Sequence, residues 1–188
     1  QGGLGLPDEA YYREEAYAEI REAYVPHIST MLDLAGVAGG ADAAERIMAL
    51  ETRLAGSHWD VVASRDALKT YTKVSAGDLA ELAPNFDWSA WARGLGAPDG
   101  AFEHVVVRQP SFLTAASDAL AEVPLDDWKL WLSWHVVSDA APYLSSAFVD
   151  ANFAFYGRLL SGAPQLRERW KRGVGAVEEL LGEAVGEL

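Results

Sequence analysis

Apolar residues recur through the first part of the chain at the three- and four-residue spacing that gathers them on one face of a helix. Tyr12, Ala16, Ile20, Ala23, Tyr24, His27 and Met31 form such a stripe. Asp8 is placed to cap this helix, and acidic residues follow near its positive end. Gly36, Gly39 and Gly40 end the segment. Pro26 lacks a backbone donor, so the pattern predicts a kink or break there. Ala41 to Leu54 reads as a second helix, with Ile47, Leu50 and Leu54 facing inward. Glu45, Arg46, Glu51 and Arg53 are expected to face water.

The middle of the chain is more broken. Ser75-Ala76-Gly77-Asp78 has capping-box spacing, with Asp in place of the usual Glu, and Pro84 stops the short helix that follows. Asp87 caps another, Trp88 to Leu95. Val105-Val106-Val107, within residues 103–108, is the one convincing strand signal. Pro110 suits the first turn of a helix running to Leu120. From Asp126 to Leu160 the pattern is helical and densely aromatic, with a kink expected at Pro142, and a final helix begins near Gln165. No repeat or low-complexity linker interrupts this. The reading is one mainly α domain over residues 1–188, with at most a short strand near 103–108.

Half of the 188 residues are apolar and seven are tryptophan, enough for a sizeable core. A formal net charge of -13 opposes a nucleic-acid partner and an anionic membrane surface, both of which call for a basic face. No apolar run reaches the roughly 18 residues of a membrane span. The opening Gln1-Gly2-Gly3 lacks the basic-then-apolar layout of a signal peptide. Cysteine is absent, which rules out disulfides and thiolate metal ligands and fits a reducing, cytoplasmic location.

Candidate chemistry is sparse. Zinc hydrolysis calls for two imidazoles one helical turn apart, a third ligand and a glutamate to activate water. His27, His58, His104 and His135 stand alone, none four residues from another, and His58 and His135 read as packed or hydrogen-bonded structural histidines. There is no Cys nucleophile and no Gly-x-Ser-x-Gly elbow. Gly173-Val174-Gly175 sits inside a helical pattern with no strand before it, so it is no phosphate loop. No catalytic residue and no metal ligand is assigned, and substrate-binding residues stay unknown. Trp128, Trp131 and Trp134 recur every three residues, with Phe148, Phe153, Phe155 and Tyr156 beyond them. Such a ladder fills helix interfaces more often than it lines a ligand pocket, and Trp131 and Phe155 are expected in the core. Arg167, Arg169, Lys171 and Arg172 are either a solvated helix start paired with Glu168 or a clamp on carboxylates of a neighbouring domain. Glu178, Glu179, Glu183 and Glu187 read as a solvated face.

Several short stretches, in order, carry a family resemblance. They include Leu4-Gly5-Leu6-Pro7-Asp8, Tyr11-Tyr12, Arg65-Asp66, Phe86-Asp87-Trp88, Gln109-Pro110, Asn152-Phe153-Ala154-Phe155-Tyr156-Gly157, Arg169-Trp170-Lys171-Arg172 and Gly182-Glu183-Ala184-Val185-Gly186. Together they resemble the neprilysin family of zinc metallopeptidases, along nearly the whole chain. The resemblance implies a family fold of two mainly α-helical lobes around a central cavity, one carrying zinc and the other acting as a lid that admits only small peptides. This chain resembles most of the lid lobe. The family works through a His-Glu-x-x-His helix, and no such sequence occurs here.

The implied function is therefore a non-catalytic lid-lobe fragment of a zinc metalloendopeptidase. It would be inactive alone, with no cofactor of its own. In the intact enzyme the expected cofactor is zinc, and the expected partners are the missing catalytic lobe and peptide substrates. The alternative is a free-standing helical protein- or peptide-binding module. On the fragment reading, apolar surface should lie uncovered around Val174, Val177, Leu180, Leu181, Val185 and Leu188, favouring self-association.

Overall fold

The computed structural model describes residues 2–186. An N-terminal strap leads into a short helix α1 (Ala10–Arg13), a 3-10 turn (Glu15–Tyr17) and the long helix α2 (Ala18–Leu34). The break predicted at Pro26 occurs instead at Glu14, whose backbone is extended (φ -80°, ψ 141°). Arg21 bridges that break, its Nη1 donating to the carbonyls of Tyr11 and Glu14. Pro26 lies within α2 on its exposed side, so the missing hydrogen bond leaves a carbonyl that water can reach. Burial of Tyr24, Ile28, Met31 and Leu32 carries the helix through.

Helix α3 (Gly40–Ala55) packs against α2, and α7 (Leu125–Ala140) packs against both. Their shared core holds Tyr24, Ile28, Met31, Ile47 and Trp134, each without exposed surface. A second, smaller cluster around Leu50, Leu54 and Ala119 joins α3 to α6 (Pro110–Glu122), with Phe112, Trp128 and Trp131 against it. Pro110 opens α6 as expected.

The segment between α3 and α6 forms a small flank. Strand β1 (Thr72–Ser75) pairs antiparallel with β2 (His104–Val107), Val74 opposite Val105. The sequence pointed to β2 alone. Ser75 then caps α4 (Ala76–Leu82) in the expected box, each of Ser75 and Asp78 bonding the other's backbone N–H. Asp87 caps α5 (Trp88–Gly94) by accepting from the Ala90 N–H at 2.8 Å. Asn85 ties the flank to α6 through two bonds to Ser117.

After α7 the chain turns at Ala141–Tyr143, beside Pro142 where a kink was expected, and forms α8 (Ser146–Asn152). The helix then widens into a π-helix over Phe153–Leu160. A Cβ on Gly157 would sit 2.2 Å from Phe153 Cδ2, so the missing side chain is what lets that ring lie across the wide turn. The last helix, α9, covers Arg169–Gly186.

Candidate functional site

The strap is threaded into the bundle by three aromatic side chains, two donating and one accepting. Trp131 Nε1 donates to the Gly3 carbonyl at 3.1 Å, Tyr156 Oη donates to the Gly5 carbonyl at 3.0 Å, and Tyr12 Oη accepts from the Leu6 N–H at 3.0 Å. Gly5 passes so close to Tyr24 that a Cβ there would meet the phenol oxygen at 1.8 Å. Only glycine allows that approach.

Below the strap lies a polar network of which the sequence reading misplaced one member. Glu51, expected to face water, has no exposed surface. Its Oε2 accepts from Tyr12 Oη at 2.7 Å and from Tyr24 Oη at 2.9 Å. Trp134 Nε1 donates in turn to Tyr24 Oη at 3.0 Å. His135 Nε2 stands 3.0 Å from Glu51 Oε1, but the pair is not aligned as a hydrogen bond, so this is a close approach rather than a directed bond. Burial, and then the Glu51 charge, push the Tyr12 and Tyr24 phenols far above their ordinary range. Burial is also the first cause holding Tyr156 up at about 12. These hydroxyls are permanent donors at any ordinary pH.

His27 and His58 are packed against aromatic rings. His27 stacks on Phe155 at 4.7 Å and meets Trp134 edge-on, and burial lowers its pKa to about 4. His58 packs edge-on against Phe112, and burial again lowers its pKa. His104 is exposed on β2. Among the described residues no three His, Cys, Asp or Glu side chains converge on one point. The donor set does not fit a zinc centre, and no hydrolytic step follows from these residues.

The tryptophan ladder divides into three roles. Trp134 is fully buried, Trp131 bridges the two core clusters while half-exposed, and Trp128 lines a groove. Phe155 is core as expected, 4% exposed, and Phe148, Phe153 and Tyr156 are half-buried. The groove, about 400 Å³, runs between the flank and the bundle over Phe86, Trp88, Trp91, Phe112, Leu120 and Trp128. None of its lining side chains is titratable, so it offers apolar contact without acid–base chemistry. The indole N–H groups of Trp88 and Trp128 are buried without an acceptor.

Within the basic cluster the contacts are local and centre on Glu168. Lys171 Nζ lies 3.4 Å from Glu168, Trp170 Nε1 donates to that same carboxylate at 2.7 Å, and Arg172 Nε donates to the Arg167 carbonyl at 3.2 Å. Arg167 and Arg169 are exposed. Of the acidic group, Glu178, Glu179 and Glu183 are exposed, and Glu187 lies outside the described residues.

The sequence profile of peptidase family M13, N-terminal part, matches residues 1–188. The chain belongs to peptidase family M13. Among curated relatives of this M13 chain, endothelin-converting enzyme 1 of Rattus norvegicus is 26% identical over 196 residues, spanning 100% of the chain and 26% of the relative. The Homo sapiens enzyme is likewise 26% identical, with 25% of its length covered. Among solved structures, the Mycobacterium tuberculosis zinc metalloprotease Zmp1 in its open state superposes with a TM-score of 0.93 at 47% identity. Its inhibitor complex gives 0.94 at 46%, and both matches cover 100% of the M13 chain and 29% of the protease. The M13 chain thus spans about a quarter of its curated relatives. Its mainly α architecture, with one small two-stranded sheet among the described residues, matches the metallopeptidase neighbours. No helix among these residues is long and apolar enough to cross a membrane.

Proposed function

We propose that this chain forms lid-lobe structure in a longer zinc metalloendopeptidase, limiting access of peptides to a zinc site built by other parts of the protein. One observation carries the reading: the whole chain superposes on a zinc protease at 47% identity, yet among its described residues no His, Asp and Glu side chains converge on a ligand set. A segment of this kind supplies shape. Its helices are fixed to one another by the strap, the Glu51 network and the two apolar clusters, so it acts as a stiff wall.

The test is a pair of assays. The 188-residue chain with added zinc should cleave no peptide, whereas the longer protein should cleave short peptides and spare long polypeptides, with chelator abolishing activity. Chelator-sensitive cleavage by the 188-residue chain itself would overturn the non-catalytic reading. Equal cleavage of short and long substrates by the longer protein would overturn the lid reading.

A further inference from the structure

Helix α9 is built the wrong way round for a helix at the surface of a finished structure. A surface helix turns its apolar stripe inward and its charged side to water. In α9, Trp170, Val174, Val177 and Leu181 share one face by 4-3-4 spacing and are 65, 59, 49 and 56% exposed. The opposite side leans toward the bundle, where Glu179 accepts from Tyr143 Oη at 3.4 Å and Arg172 is half-buried.

The helix is also poorly stabilised by its own sequence. Glycines 173, 175 and 182 interrupt it, each costing about 1 kcal/mol against alanine in a helix interior. Its charges oppose the backbone dipole: Arg169, Lys171 and Arg172 open it, while Glu178, Glu179 and Glu183 fill its later turns. A helix with reversed charge order, interior glycines and an outward apolar face needs a partner that supplies what it lacks.

We propose that the α9 face is a docking seam for another helix of the intact peptidase, contributed by polypeptide other than these 188 residues. The inference rests on the peptidase reading above. The partner is an amphipathic helix with an apolar stripe, carrying acidic side chains beside Arg169 and Lys171 and basic ones beside Glu178. Two facts favour this occupant over a second copy. The solved relatives carry far more chain than this segment, which covers 29% of their length. The seam from Trp170 to Leu181 rises only about 16 Å, at 1.5 Å per residue. A patch that short falls below what an independent dimer needs, but tethering in one chain raises the effective concentration enough to hold it.

Hydrogen exchange of the α9 amides, in the 188-residue chain and in the longer protein, tests this. We expect fast exchange in the short chain and exchange slower by about a hundredfold in the longer protein. The double variant Val177→Asp, Leu181→Asp should remove that protection, while Glu183→Ala on the opposite side should keep it. Equal exchange in the two wild-type proteins overturns the proposal without recourse to any variant. Concentration-dependent protection in the short chain, lost in the double variant, assigns the seam to a second copy and overturns it as well. Activity is scored separately. Protection without zinc-dependent cleavage leaves the seam standing and removes the peptidase reading.

Discussion

A carboxylate with no exposed surface, as Glu51 has, is stable only while its donors stay in place. Tyr12 and Tyr24 supply them from α1 and α2, so this one side chain joins three helices. Truncating it strands two buried phenols, and truncating a phenol leaves the charge less satisfied. Glu51→Ala should destabilise by about 2–6 kcal/mol, since two buried hydroxyls lose their acceptor at about 1–3 kcal/mol each. Tyr12→Phe should cost about 1–3 kcal/mol, since that hydroxyl also accepts from the strap. Urea melts will read both, and a loss under about 1 kcal/mol for Glu51→Ala would mean the network does not hold in solution. The position was legible in the sequence: Ile47, Leu50, Glu51 and Leu54 share one stripe. Its charge argued for water, and the donors that reverse that argument lie 27 and 39 residues away, beyond the reach of local pattern.

His27 offers a second test at this scale. Burial holds its folded pKa at about 4, below the ordinary 6.5, so the unfolded chain binds more protons between those values. The stability linked to neutral His27 is full above pH 6.5 and is lost as the pH falls toward 4. The expected loss at pH 4 is roughly 3 kcal/mol relative to pH 7. Carboxylates add their own slope at the acid end, so the quantity to measure is the difference between wild type and His27→Phe. The variant keeps the stack on Phe155 and should lose less stability between pH 7 and pH 4.5 than the wild type does. Parallel pH profiles would show that His27 is protonated in the folded state.

At the scale of elements, the long helices were readable because apolar period and caps agree in them. α3, α6 and the two capped short helices fall within a few residues of their predicted bounds. β1 was missed because Thr72-Lys73-Val74-Ser75 is too short to show alternation, and its strand character comes from pairing with β2. The π-helix was equally invisible, since Phe153 to Leu160 has an ordinary helical composition. Gly157 is its one local trace. Helix propensity alone predicts that Gly157→Ala stabilises by about 1 kcal/mol. The contact with the Phe153 ring predicts the reverse, a loss of about 1–3 kcal/mol from overpacking. The sign of the change in a thermal melt decides between an element held by packing and one held by propensity.

Across the whole molecule, stability and surface are divided between the bundle and α9. The bundle holds the buried residues of both clusters, whereas no described residue of α9 is buried. Removing residues 165–188 should therefore change the bundle's unfolding free energy by less than about 1 kcal/mol, as surface changes do. Trp134→Ala, at the centre of the fold and without exposed surface, should cost about 3–5 kcal/mol. The truncation should also improve solubility, because it deletes the exposed Trp170, Val174, Val177, Leu180 and Leu181 together; the Val185 side chain and Leu188, grouped with them from sequence, lie outside what the structure describes. Denaturant melts of the two variants beside the full chain, with sedimentation to follow association, measure both effects. If the truncation costs several kcal/mol, α9 closes the core of this chain itself, and a face reserved for another helix becomes untenable.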